Sequence, residues 1–350
     1  LPLPTPSTLA TATVRSTTST QFGPMSDVTI IGAGVAGLWA AQACLAQGLR
    51  PRLVDRKGTP GPHGCSWWAG GMLAPFCEGA VSEPAVVSHG RRAAVLWGEV
   101  TEVTHRGTLV LAPERDRAEI QRFADRTESH STCDAEAIAT LEPDLAGRHR
   151  RGLFFAEEAH LNPRQALHDL SQTLTAQGVK VETTPLTPSE VTGPVIDCRG
   201  MAASADLPSL RAVRGEMILL RAPEITLTRP IRLLHPRHPL YVVPRGDGLY
   251  MLGATQIESA SRAKMTARSA LELLSAAYAL DPRFAEGEIV EMGADLRPAF
   301  ADNLPGIVQR GAVLHLNGLF RHGFLMAPAL AEQAAAFLAT ATTGDLFRED

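Results

Sequence analysis

Four residues near the start of the chain have the types and spacing to hold a dinucleotide. Gly32, Gly34 and Gly37 form G-x-G-x-x-G within IIGAGVAGL, and Asp55 follows Gly32 by 23 residues. Gly32 allows a tight turn, Gly34 lets a pyrophosphate approach the backbone, and Gly37 lets a helix pack closely on a strand. An N-terminal helix end supplies free N–H groups that attract phosphate. Asp55 is placed to accept hydrogen bonds from a ribose diol. A glycine-rich turn in an ordinary α/β unit would not need that acid. The pattern does not separate NAD from FAD.

These residues need a strand–helix–strand unit to position them, and the flanking sequence supplies one. Residues 28–31, with Asp27 ahead, are apolar, β-branched and short, as in a buried parallel strand. Residues 35–47 are rich in Ala and Leu, lack Pro, and stop at Gly48, which predicts a helix. Residues 49–54 form a second strand that Asp55 closes.

The totals restrict what surrounds this unit. A chain of 350 residues, 45% hydrophobic and 20% charged, suits a globular protein of two lobes. A net charge of −4 offers no electrostatic reason to bind nucleic acid or an anionic membrane. No apolar run approaches the ~18 residues of a spanning helix. Five scattered cysteines without a C-x-x-C pair argue against a disulfide framework or a metal site, and point to the cytoplasm. Residues 1–24 have no Asp, Glu or Lys and a dense Ser/Thr content, so they are expected to be a disordered or added leader, with Met25 the original start.

Along the rest of the chain, helices are expected at 82–100 (capped by Ser82), 114–127, 134–145, 162–177 and Ala267–Leu280, with a closing helix from Ala327 to about Thr340. Strands are expected at 109–111, 152–156, 179–183 and 195–200, the last returning to the nucleotide-binding sheet. Those at 215–220, Leu240–Pro244 and 249–254 alternate and predict an antiparallel sheet in a second lobe. Further strands are expected at 289–296 and 313–316.

Five segments together resemble the glycine oxidases of thiamine biosynthesis, FAD enzymes of the D-amino-acid oxidase and sarcosine oxidase superfamily. They are IIGAGVAGL with its terminal VDR, CSWWAGGMLAP, YVVPRGDGLYMLGAT, DLRPAFADNLPGI and GLFRHGFLMAPA. The resemblance runs from about Asp27 to Phe337. Its most specific pieces are Arg297-Pro298 with Asp302 and Pro305, then G-x-x-R-x-G before the last helix. It implies an α/β fold: a Rossmann-like FAD-binding domain (25–95, 146–212 and 290–343) with an interleaved α+β substrate domain (96–145 and 213–289) carrying an antiparallel sheet.

It also implies roles for individual residues. Arg297 matches the family's carboxylate-binding Arg, and a guanidinium is suited to hold a carboxylate by two bonds without losing its charge. Arg321 matches a second Arg that touches substrate or orders the flavin loop, and Tyr241 a Tyr over the substrate carboxylate. For FAD the match gives Val35 and Ala36 beside the three glycines, Asp55 and Arg56 near the ribose, and Cys65 and Ser66 nearby. Gly70, Gly71 and Met72 fall where the backbone passes the isoalloxazine, and Leu186 at an adenine contact. Leu319, Phe320, Arg321, His322, Gly323, Phe324 and Leu325 fill the flavin loop, with the last helix N-terminus aimed at the pyrimidine edge. His322 and His315 read as packing residues.

The chain departs from its relatives in three places: Asp55 where Glu is commoner, a short 184–195 segment, and Gln256 after GAT. No Cys follows Cys198, so FAD is expected to be non-covalent. The implied reaction is glycine, O2 and water to glyoxylate, ammonia and hydrogen peroxide, by hydride transfer to flavin N5, serving thiazole assembly for thiamine. A homotetramer is suggested by the same resemblance. The residues leave open a sarcosine or small D-amino-acid oxidase, a non-catalytic flavin-binding or partner-maturation protein, and an NAD dehydrogenase.

Overall fold

A computed structural model describes residues 27–116, 118–235 and 239–349. The leader at 1–24 and Met25 lie outside the described residues.

The strand Asp27–Ile31 is central because both of its edges are used. It pairs in parallel with Arg50–Asp55 on one side and with Val195–Asp197 on the other. The seven-stranded sheet around it runs 347–348, 306–310, 313–317, 195–197, 27–31, 50–55, 181–183. The expected late return to this sheet is therefore present, and it lands beside the first strand. Two elements of the sheet have no counterpart in the sequence reading: Gly306–Arg310, antiparallel to Val313–Asn317, and Phe347–Arg348, parallel to Gly306–Arg310. Helix Val35–Ala46 covers the sheet, with Gly48 at φ +72 just after it. Helix Pro163–Ala176 begins at Asn162, whose side chain accepts from the Arg164 N–H at 3.1 Å.

The second sheet has nine strands. Its spine is Arg211–Arg221, antiparallel to Leu249–Gly253 on one edge and to Glu288–Ala299 on the other. That register sets Val213 opposite Arg297. Leu240–Pro244 pairs with Leu249–Gly253, so Tyr241 lies one strand further along the sheet. The strands Arg151–Phe155 and Glu288–Ala299 belong to this sheet, although they fall mostly in ranges assigned to the nucleotide-binding lobe.

Two helix readings are corrected. Residues 82–100 form two short helices, Pro84–Gly90 and Ala93–Gly98, and the cap is Glu83 rather than Ser82. Ser82 Oγ lies 3.3 Å from His322 Nε2 instead. Gly90 ends the first helix where Leu325 packs so close that a Cβ would approach it to 2.8 Å. The closing helix starts at Gly323, not Ala327, and holds Pro328 in its interior. A proline has no N–H for the carbonyl four residues back, which here belongs to Phe324. The Trp97 indole N–H donates to that oxygen at 2.7 Å, so the helix continues through.

The sequence therefore understated this helix. Gly323–Thr340 is long and apolar enough by length and composition to cross a membrane, contrary to the expectation that no such run exists. In the fold it is a core helix, buried along most of its length against Val35–Ala46.

Candidate active site

A cavity of about 680 Å³ runs between the two sheets. Its nucleotide end is made by the first strand–helix–strand unit. Gly32 adopts φ +104, and a Cβ there would lie 2.5 Å from the Cys198 carbonyl oxygen. A Cβ on Gly37 would lie 1.7 Å from the Gly32 oxygen, so the helix reaches the strand only because both are glycine. Asp55 accepts from the Ala33 N–H at 2.9 Å and from the Lys57 N–H at 2.7 Å, so its carboxylate braces the glycine turn. Ser66 Oγ accepts from the Val35 N–H at 3.2 Å. A close backbone turn and a helix N-terminus that donate, with a strand-end carboxylate that accepts, are the groups a dinucleotide requires on one cavity, and the residues fit FAD.

Midway, Gly70 and Gly71 line the cavity with bare backbone. Arg245 holds this strap from behind, donating to the carbonyls of Gly70 (2.7 Å) and Leu161 (3.2 Å). Burial, then the nearby Arg164, pushes its guanidinium down to about 9.

The other end of the cavity is built from side chains. Arg297 extends over Gly215, where a Cβ would come within 2.2 Å of its guanidinium. Its Nη1 donates to the Thr255 carbonyl at 3.1 Å. Among the described residues no carboxylate pairs with it. Burial, with Arg321 next, lowers it to about 10, so it stays charged at neutral pH. Although deep within the protein, it keeps accessible area because it faces the cavity.

Arg321 differs. Its Nε donates to Glu78 Oε2 at 2.8 Å, and its Nη2 donates to the same oxygen. Arg232 approaches Glu78 Oε1 to 3.7 Å, donates to the Cys77 carbonyl at 3.0 Å, and lies between the rings of Phe123 and Tyr241. Burial pushes the Glu78 carboxyl up, but Arg321, His322 and Arg232 outweigh it and hold it at about 2. Burial drives His322 down to about 4, leaving it neutral. Burial also lifts the Cys65 thiol to about 11.

The cavity brings together Gly32, Gly34, Val35, Ala36, Asp55, Arg56, Cys65, Ser66, Gly70, Gly71, Met72, Leu186, Tyr241, Arg297 and all seven loop residues from Leu319 to Leu325. Gly37 stands outside the lining and acts through packing. Glu78, Arg232 and Arg245 were missed by sequence reasoning. Glu78 lies just past the CSWWAGGMLAP segment, and its partners are 154 and 243 positions away, so no local spacing reveals it.

With this geometry in hand, comparison with known proteins is informative. The family model for FAD dependent oxidoreductases matches residues 27–337. The chain is 50% identical over 316 residues to a putative thiamine biosynthesis oxidoreductase ThiO of Rhizobium etli, covering 89% of this chain and 96% of that protein. It is 27% identical over 340 residues to a glycine oxidase of Pseudomonas aeruginosa, covering 86% and 92%. The crystal structure of a glycine oxidase from Bacillus cereus superposes with a TM-score of 0.77 at 19% identity, covering 93% and 99%, which speaks for the fold. A glycine turn, helix start and strand-end carboxylate at one end of the cavity, guanidiniums at the other, and a family match across both assign this chain to the FAD dependent oxidoreductases.

Proposed function

We propose that the protein is an amino-acid oxidase acting on glycine, with sarcosine and small D-amino acids as the nearest competing substrates. The observation that carries this reading is Arg297, a half-buried, charged guanidinium facing the cavity with no carboxylate to neutralise it among the described residues. Such a group is costly unless a ligand completes it, and an amino acid's carboxylate is the matching ligand.

Gly32, Gly34, Val35 and Ala36 would hold the FAD pyrophosphate, Asp55 the ribose, and residues 70–72 and 319–325 the ring system. When bound, FAD supplies the two-electron acceptor for the Cα–H hydride and returns the electrons to O2. Arg297 fixes the substrate carboxylate, and Tyr241, backed by Arg232, closes over it. Arg245 keeps the Gly70–Gly71 backbone in place, so the substrate has one face to approach. No cavity residue has to take the amine proton: His322 is too weak a base, and Glu78 is ionised and tied to Arg321. The amine enters neutral, and the resulting imine is hydrolysed by water to glyoxylate and ammonia while O2 becomes hydrogen peroxide.

A role in making the thiazole of thiamine belongs to this reading, supported by the name carried by the Rhizobium etli relative. A homotetramer belongs to it too, supported by family resemblance, and a cytoplasmic location, supported by five free cysteines. Anaerobic mixing with glycine, sarcosine and D-alanine tests the substrate. Glycine should bleach the flavin; failure of all three would overturn the amino-acid reading.

A further inference from the structure

The two guanidiniums at the substrate end are treated differently by the protein. Arg297 and Arg321 line the same cavity beside Tyr241. Among the described residues Arg297 has only a backbone carbonyl, whereas Arg321 turns its Nε/Nη2 edge onto Glu78. That pair is well shielded, with side-chain exposures of 16% and 13%. Glu78 is held by two cations, Arg321 and, at 3.7 Å, Arg232, and Ser82 Oγ donates to its Oε2 at 3.4 Å. It is not free to swing away when a ligand enters.

Resting on the amino-acid reading above, we propose that Glu78 is a specificity-determining residue. It occupies Arg321 from inside the protein and so restricts the site to substrates bearing a single carboxylate. A ligand docked on Arg297 by one carboxylate would bring a second toward Arg321. There it would meet an occupied guanidinium and a fixed negative charge, and like charges at such range are strongly unfavourable in a shielded site. Without Glu78, two bare guanidiniums would face one end of the cavity, an arrangement suited to dianions. Glu78 acts through Arg321 and is therefore a positioning residue for specificity, not a catalytic one.

The test uses the FAD-loaded enzyme and two ligands that cannot be oxidised, acetate and malonate, followed by perturbation of the flavin absorption. The wild type should bind acetate at least as tightly as malonate. Glu78→Gln, nearly isosteric, should tighten both anions but shift the ratio of their Kd values toward malonate by about tenfold or more, the low end for a charge-assisted contact. Adding Arg321→Met to Glu78→Gln should remove the shift, which loss of packing alone would not do. An unchanged ratio in Glu78→Gln would overturn the proposal. So would a wild type that binds malonate about tenfold more tightly than acetate, a result that stands even where the variant fails to hold FAD. The parent reading fails separately: if Arg297→Ala leaves acetate binding unaltered, the clamp is gone and the role of Glu78 with it.

Discussion

The two ends of the cavity are built on different principles. The nucleotide end is backbone: a turn, a helix start and one carboxylate, all within residues 27–55, with contacts set by missing side chains. The substrate end is side chain: Arg297, Tyr241 and Arg232 arrive from three strands, Arg321 from a loop and Glu78 from a short helix, with Glu78 holding Arg321 and Arg232 by charge. A backbone cradle tolerates no added atom, whereas a charge network tolerates bulk and fails when its balance changes.

This difference orders the expected effects of mutation. The largest belongs to Gly37→Ala, because the added Cβ meets a backbone oxygen at 1.7 Å that has nowhere to go. Overpacking there should cost ~3 kcal/mol or more of stability, so the variant should lose most of its bound FAD, read from the flavin content of the purified protein. Asp55→Ala comes next. Removing a charge-assisted acceptor costs ~1.5–3 kcal/mol, or about 10- to 150-fold in FAD affinity, and Asp55 also releases the Ala33 N–H. Unaltered affinity would mean that this acid serves only the turn.

At the other end Gly215→Ala also crowds its neighbour, but that neighbour is the mobile tip of Arg297 at 2.2 Å. The fold and FAD content should survive while kcat/KM for glycine falls by ~5- to 150-fold, the equivalent of ~1–3 kcal/mol. Loss of FAD with retained specific activity would reverse the contrast. The smallest effect lies away from both ends. Trp97→Phe keeps the stacking on Phe324 but leaves its carbonyl without the indole donor, costing ~1–3 kcal/mol of stability. Thermal unfolding should register it, with the visible spectrum unchanged.

The same contrast explains what could be read before the fold was known. A local unit such as 27–55 is legible because each step has a sequence signature: β-branched run, glycine spacing, alanine-rich helix, terminal acid. Helix Ala267–Leu280 and strand Leu240–Pro244 were legible for the same reason. The closing helix was misplaced by four residues because Pro328 reads as a boundary, and the group that compensates it, Trp97, is 231 positions away. Arg297, Arg321 and Tyr241 were found by resemblance to a family. Glu78, which decides which of the two arginines is bare, has neither a local signature nor a place in the segments that carried that resemblance.

The central claim is that Arg297 binds the substrate carboxylate. Its most direct test is anaerobic reduction of the flavin by glycine in Arg297→Ala, compared with wild type at equal FAD content. Removing one partner of a shielded charge pair costs ~2–5 kcal/mol, so the second-order rate of bleaching should fall at least ~30-fold. Arg297→Lys should restore only part of it, since the bidentate geometry is lost. Bleaching by glycine at a near-normal rate in Arg297→Ala, with FAD still bound, would contradict the account.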